Sequence, residues 1–104
     1  MFVALKKQEQ FRDEKMVKAA VVDSPRMFCD LYCLKPAQFQ KVHAHEDADK
    51  IYVVQRGRPT LIIGEQEKVL EAGELAYAAP GVPHGVRNDT DEEAICLVFM
   101  TPRP

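Results

Sequence analysis

The chain has 104 residues, which is enough for one packed core and too few for two, so we expect a single domain over residues 1–104. Hydrophobic residues make up 46% of the sequence and charged residues 29%, a balance typical of globular proteins and unlike that of disordered or fibrous chains. Fourteen Lys and Arg against sixteen Asp and Glu give a formal charge of −2, so no basic footprint indicates nucleic acid or an anionic membrane as a partner. No apolar run approaches the ~20 residues that a membrane-spanning helix needs.

The start of the chain and its cysteines indicate a location. Residues 2–5 are apolar but charged residues follow them at once, which is not the order of a secretory signal, so we expect a cytoplasmic protein. Cys29, Cys33 and Cys96 are an odd number without the paired CxxC spacing of a zinc site. We expect them to be small buried side chains, and we exclude a disulfide scaffold.

The predicted elements begin with a short N-terminal helix that Asp13 caps and that runs through Met16 to Lys18. Beyond it the sequence consists of short apolar or alternating runs separated by Gly, Pro and Asn. These runs are residues 18–22, 26–34, 39–45, 50–56, 59–64, 66–71, 74–79, 84–88 and 94–100. No connection is long enough for the crossover helix of a parallel sheet. The pattern predicts an all-β protein, an antiparallel barrel or jelly roll.

The three histidines of the chain fall in two places, His43-Ala44-His45 and His84 after a Pro/Gly turn. On a regular strand over residues 38–45, alternation puts both His43 and His45 on one face with Lys41. Two imidazoles on one face and a third from a neighbouring strand can share one metal ion and leave positions open for water or substrate. The alternative is three unrelated surface or half-buried histidines.

The stretches around these histidines match a pair of motifs. The first reads Ala37-QFQKV-His43-A-His45-EDAD-Lys50-IYVVQR-Gly57, and the second reads Gly73-ELAYAA-Pro80-Gly81-VP-His84-GVR-Asn88. In these motifs the chain resembles the cupins, whose patterns are G-x5-H-x-H-x3,4-E-x6-G and G-x5-7-P-x-G-x2-H-x3-N. It is most similar to small single-domain cupins of the cupin-2 type, some of which are labelled as antibiotic-synthesis proteins. The resemblance covers residues 26–101 or so and implies a double-stranded β-helix, or jelly-roll β-barrel, with a metal ion on the histidines.

Two positions depart from the cupin pattern. Ala37 stands where the first motif opens with Gly, so we expect the turn there to avoid a positive φ. Lys50 stands where the family has its metal-binding Glu, and a protonated amine has no lone pair for a cation. Asp49 is the first candidate for the missing carboxylate, and Glu46 and Asp47 are further candidates of lower weight. The resemblance therefore implies His43, His45, His84 and Asp49 as ligands of a divalent ion, which the residue types leave open among Fe, Ni, Zn, Cu and Mn.

Lys50 and Tyr52 are the candidate catalytic residues. Lys50 either forms a solvated ion pair at the barrel mouth or points into the pocket with Lys41, where it would attract an anionic carboxylate or enolate. Tyr52 shares its face and can orient a ligand through its hydroxyl. Two functions follow: a metal-dependent enzyme acting on a small carbonyl or carboxylate compound, or an accessory protein that binds a small molecule without turnover and without metal.

The chain is also expected to associate with itself. Residues 2–5 are apolar, unlike a frayed terminus, and the last strand is apolar on both faces. A chain of this size has difficulty covering such a surface alone. The sequence therefore predicts a homodimer.

Overall fold

The computed structural model describes every residue from Met1 to Pro104, and nearly all of its regular structure is β-strand. The strands are β1 (Val17–Asp23), β2 (Phe28–Leu34), β3 (Phe39–His43), β4 (Asp49–Arg56), β5 (Thr60–Ile63), β6 (Gln66–Val69), β7 (Leu75–Ala78), β8 (His84–Arg87) and β9 (Ala94–Thr101). Each strand overlaps one of the nine predicted runs. The alternating runs and the turn residues between them therefore identify every strand of the protein.

The strands form two antiparallel sheets. A five-stranded sheet has the order β1-β2-β9-β4-β7, and a four-stranded sheet has the order β3-β8-β5-β6. Strand β9 lies at the centre of the larger sheet, which accounts for its apolar residues on both faces. The all-β jelly-roll prediction is confirmed.

The main core lies between the two sheets. Alternate residues of β2, β4, β8 and β9 point into it, among them Leu34, Val54, Val86 and Val98. A smaller cluster on the outer face of the larger sheet contains Leu31, Cys33 and Ile95, and Phe11 of the N-terminal segment packs against it. All three cysteines are buried and free, as expected.

The N-terminal segment differs from its prediction. The one helical element is a 3₁₀ helix at Leu5–Gln8, and residues 13–18 form no helix. Instead of capping, the Asp13 carboxylate pairs with the Lys35 ammonium at 2.5 Å. The Gln38 side-chain amide donates to the Arg12 carbonyl at 2.6 Å, which ties this segment to the start of β3. These long-range contacts override the local helical preference.

The expectation for Ala37 was wrong, because its φ is +70°. Its amide donates to the Asn88 carbonyl at 2.8 Å, and the next amide, that of Gln38, donates to the Lys35 carbonyl at 3.1 Å. These two bonds hold the β2–β3 turn in a left-handed conformation that costs a non-glycine residue ~1 kcal/mol. The left-handed turn therefore forms here in spite of the alanine.

The only helix, four residues long, is neither long nor apolar enough to cross a membrane.

Candidate metal centre

The smaller sheet and its loops position the three histidines. His43 is the last residue of β3 and His84 the first residue of β8, and the two are directly paired across the sheet. His45 lies just beyond β3, in the loop rather than on the strand. The Gly81 amide donates to the His45 carbonyl at 2.8 Å, so the Pro80-Gly81 turn fixes the backbone of both histidine segments.

The three imidazoles converge. Their ring centroids are 4.9 Å apart for His43 and His45, 4.6 Å for His43 and His84, and 5.6 Å for His45 and His84. One potential ligand atom from each ring lies within 4.8 Å of the other two. The sequence-based expectation of a histidine cluster therefore has a matching geometry.

Hydrogen bonds to the backbone orient two of the rings. The Nδ1 atom of His43 lies 2.8 Å from the Lys41 carbonyl, and that of His84 lies 3.0 Å from the Val82 carbonyl. Each Nδ1 thus carries the proton and donates it, which leaves a lone pair on Nε2. The Nε2 atom of His84 is buried and has no hydrogen-bond partner. An orphaned acceptor aimed at two further imidazoles is what a metal ion would satisfy, so the residues present fit a divalent cation.

Burial also favours the neutral form of His84 and His45. It lowers the pKa of His84 from 6.5 to about 4, and the positive charges of Lys50, His43 and His45 act in the same direction. Burial, followed by the charges of His43 and Lys50, lowers the pKa of His45. Neutral imidazole is the form that ligates a metal.

A β-bulge in β3 changes which residues point inward. Gln40 pairs with Val86 and His43 with His84, and the register shifts between these two pairs. Gln40 is consequently buried and Lys41 exposed, the reverse of what strict alternation predicts. The prediction that Lys41 lies on the inward face was therefore wrong.

Gln40 was missed by the sequence reasoning and turns out to link the two sheets. Its side-chain oxygen accepts a hydrogen bond from the Tyr52 hydroxyl at 2.8 Å, and its nitrogen donates to the Tyr32 hydroxyl at 2.9 Å. Burial raises the pKa of both tyrosines, which remain protonated. The sequence did contain a signal, because Gly85, within β8, indicates a close backbone approach. A Cβ at Gly85 would lie 3.0 Å from the Gln40 carbonyl oxygen.

Lys50 points into the protein and is 2% exposed. Its ammonium nitrogen lies 5.4 Å from the centre of the Tyr32 ring and 5.2 Å from that of Tyr52. No carboxylate lies within 4.0 Å of it. Burial lowers the pKa of Lys50 from 10.5 to about 7, and Lys18 adds to this while Asp30 opposes it. The geometry therefore supports the prediction that Lys50 points inward, and not the prediction that it forms a solvated ion pair at the barrel mouth.

Asp49 does not join the histidines. Strand β4 is already regular at Asp49, so its side chain lies on the face opposite Lys50 and Tyr52. Its carboxylate accepts a hydrogen bond from the Tyr77 hydroxyl at 2.5 Å. Glu46 and Asp47 are exposed in the turn before β4 and are not part of the cluster either. The cluster thus consists of three imidazoles without a carboxylate.

Two facing antiparallel sheets with three convergent imidazoles inside define a jelly-roll protein that can hold a metal ion. The family model described as "Cupin domain" matches residues 30–100, which is more than half of the chain. The protein belongs to the cupin family.

Known structures agree with this assignment. The TT1209 protein from Thermus thermophilus superimposes with a TM-score of 0.97 at 45% identity, over 99% of this chain and 98% of that one. A protein with a double-stranded beta-helix domain from Klebsiella pneumoniae superimposes with a TM-score of 0.90 at 20% identity, over 97% and 89% of the two chains. This second similarity concerns the fold alone.

A curated relative is the H2HPP isomerase of Bacillus subtilis, 39% identical over 56 residues. That stretch is 53% of this chain and 23% of the isomerase, so the chain matches under a quarter of that protein's length.

Proposed function

We propose that this cupin binds a first-row divalent metal ion through His43, His45 and His84 and holds a small carbonyl or carboxylate compound beside it. The observation that carries the proposal is the buried, unpartnered Nε2 of His84 facing two further imidazoles. A bound ion would supply Lewis acidity, polarising a carbonyl or carboxylate oxygen of the ligand. Fe, Ni, Zn, Cu and Mn all suit imidazole ligands well enough to be candidates.

Lys50 and Tyr52 are the proposed polar groups beside the histidines. With its pKa lowered to about 7, Lys50 exists both as ammonium and as amine near neutral pH. The ammonium can bind an anionic oxygen of the ligand, and the amine can accept a proton from it. Tyr52 stays protonated, and its hydrogen bond to Gln40 fixes its ring 6.2 Å from the ring of His84. We assign Tyr52 a positioning role and Lys50 the proton-transfer or anion-binding role.

A second candidate is a cupin that binds a small molecule without metal and without turnover. The buried, unpaired Lys50 favours it, because a cation beside the histidines opposes a second cation. The isomerase from Bacillus subtilis supports the catalytic alternative, although that similarity spans little of the larger protein.

Metal analysis separates the two functions. Protein purified without a histidine tag, offered each of the five ions in turn and then desalted, is expected to retain about one ion per chain of at least one metal. The double variant His43→Ala, His45→Ala removes two of three ligands and is expected to retain none. Both residues are only half-buried, so the core is left intact.

Asp49→Asn is the matched control for the fourth ligand. Because the Asp49 carboxylate is bonded to Tyr77 on the other face, this variant should hold as much metal as the wild type. A wild-type chain that retains none of the five ions would leave the metal-free function in place. A drop in Asp49→Asn equal to that of the double variant would restore Asp49 as a ligand.

We further propose that the protein is a homodimer that packs through the outer face of its larger sheet. Apolar residues of β7, β4 and β9 form two cross-strand rows there, Tyr77–Ile51–Phe99 and Leu75–Val53–Leu97. Leu75 is 58% exposed and Tyr77 49% exposed, so a monomer leaves a contiguous apolar patch in water. We also place the protein in the cytoplasm, which is consistent with three free thiols.

Sedimentation tests the dimer. The wild type is expected to sediment at about twice the 11.8 kDa of the chain, and Leu75→Glu is expected to shift it to the monomer. Val69→Glu is the matched control, because Val69 is 54% exposed on β6 of the smaller sheet. A wild type that sediments as a monomer at micromolar concentration would contradict the dimer, and equal dissociation in both variants would place the interface elsewhere.

A further inference from the structure

A groove of about 750 Å³ runs between the N-terminal segment and β3, beside the histidine cluster. One wall comes from Gln10, Arg12 and residues 15–18, and the other from residues 39–41 and His43. Its volume lies within the range of pockets that hold small organic ligands. The groove thus adjoins the proposed metal centre and is large enough for more than a two- or three-carbon acid.

The groove is basic although the chain as a whole is acidic. Its lining contains four cations and no carboxylate, in a protein with a formal charge of −2. None of the four has a carboxylate within 4.0 Å of its side-chain nitrogens. These four are Arg12, Lys15, Lys18 and Lys41.

The same groove also has an apolar surface. Phe39 is 62% exposed on its β3 wall, and Met16 and Val17 contribute from the opposite side. An exposed aromatic ring beside unpaired cations offers stacking and ion pairing to the same ligand. A ligand that uses both has an apolar or aromatic body and a negative group.

We propose that this groove extends the metal centre into a binding site for an organic dianion with an apolar body, such as an aromatic dicarboxylate. One anionic group lies at the histidine cluster and the other at the cations of the groove. The inference rests on the proposed function for the first anionic group only. The cations of the N-terminal wall then set selectivity for a second negative charge.

Isothermal titration of the metal-loaded protein with isophthalate and benzoate tests the proposal. These two probes share an aromatic ring and differ by one carboxylate. Isophthalate is expected to bind at least about tenfold more tightly than benzoate at low salt, and the advantage should disappear in about 0.5 M NaCl as the cations are screened. Inorganic phosphate, a dianion without an apolar body, should bind more weakly than isophthalate.

Arg12→Gln, Lys15→Gln is the decisive variant. Both side chains are exposed and outside the metal centre, so the metal content of the variant should not change. Its affinity for isophthalate should fall to about its affinity for benzoate. Lys41→Gln on the opposite wall should have the same direction of effect. The matched control is Arg58→Gln, Lys68→Gln, two exposed cations outside the groove, which should keep the full preference.

The outcomes distinguish the groove from the metal centre. If the chain retains no metal but still prefers isophthalate in a groove-dependent way, the metal-binding function fails and the groove site stands. If metal binds and the two carboxylates bind alike, or if the control loses as much as the groove variant, the groove proposal is overturned. Binding of a single-stranded oligonucleotide in the groove in place of the dicarboxylate would also overturn it.

Discussion

Replacing Lys50 by methionine is expected to stabilise the metal-free protein at pH 6 by on the order of 4 kcal/mol, a large part of the stability of a domain this size. Lys50 is almost completely buried and its ammonium has no counter-ion. Methionine has a similar length, packs between the same tyrosine rings and carries no charge. The variant therefore keeps the packing and removes the desolvation cost.

The sign of the pH dependence follows from the lowered pKa of Lys50. Between pH 7 and pH 10.5 the unfolded chain binds a proton at Lys50 that the folded chain has released, so the contribution of Lys50 to the wild-type free energy of unfolding rises with pH across this window. Below about pH 7 Lys50 is charged in both the folded and the unfolded chain, so the full free-energy cost of burying its ammonium is present. The advantage of Lys50→Met should therefore shrink as pH rises and vanish near pH 10.5.

Other titratable groups face Lys50 from four strands and from the loop after β3. They are Lys18 of β1, Asp30 and Tyr32 of β2, Tyr52 of β4, His84 of β8 and His45 of the loop. All of them remain in the variant, so subtracting the two stability profiles removes the titration they share. Urea unfolding of both proteins from pH 6 to pH 10, in the presence of a chelator, measures the difference.

Lys68→Met serves as the control, since it makes the same change at an exposed position of β6. It should leave both the stability and its pH dependence close to those of the wild type. Parallel profiles for Lys50→Met and wild type would show that the Lys50 ammonium is not desolvated. A residue that lowers the free energy of unfolding this much is typical of a functional site, where ligand binding offsets the loss of stability.

The strands could be predicted from the sequence because their signals are local. Alternating runs and Gly, Pro or Asn turns locate β1 to β9 within a few residues, and the three histidines lie close together as expected. The N-terminal segment could not be predicted in this way. Whether Asp13 caps a helix or pairs with Lys35 depends on a residue 22 positions away.

The details of the site depend on register, which the sequence specifies less directly. The bulge in β3 moves Gln40 into the core and Lys41 out of it, and a period-two reading assigns every residue on one side of it to the wrong face. At Asp49 the strand is regular, so alternation correctly separates it from Lys50. The bulge in β3 depends on the facing strand β8, which carries Gly85. The alternation of residues within β3 alone therefore cannot predict it.

Gly57→Ala is expected to destabilise the protein by about 3 kcal/mol and to lower its melting temperature by roughly 15 °C. Gly57 has a φ of +79°, which costs a residue with a Cβ ~1 kcal/mol or more. A Cβ there would also overlap the Glu93 carbonyl oxygen and lie 2.9 Å from Cα of Ala94, both in the backbone at the start of β9. Backbone cannot rotate away as a side chain can, so one of the strands has to move.

Gly73→Ala separates the two contributions. Gly73 has a φ of +90° but a Cβ there would meet nothing within 4 Å, so this variant should lose only the conformational part, about 1 kcal/mol. Thermal and urea unfolding of both variants measure the difference. Equal losses would mean that β9 gives way without cost.

The steric part of the Gly57 effect also bears on the site. Gly57 follows β4 directly and closes against the first residues of β9, at the end of the ladder where the pairing shifts between Val54 and Arg56. The β4–β9 register fixes which residues of β4 point inward, and a slip by one position would turn Lys50 out and Asp49 in. We therefore expect Gly57→Ala, where it still folds, to weaken ligand binding at Lys50 while metal binding by the histidines, held on β3 and β8, is retained.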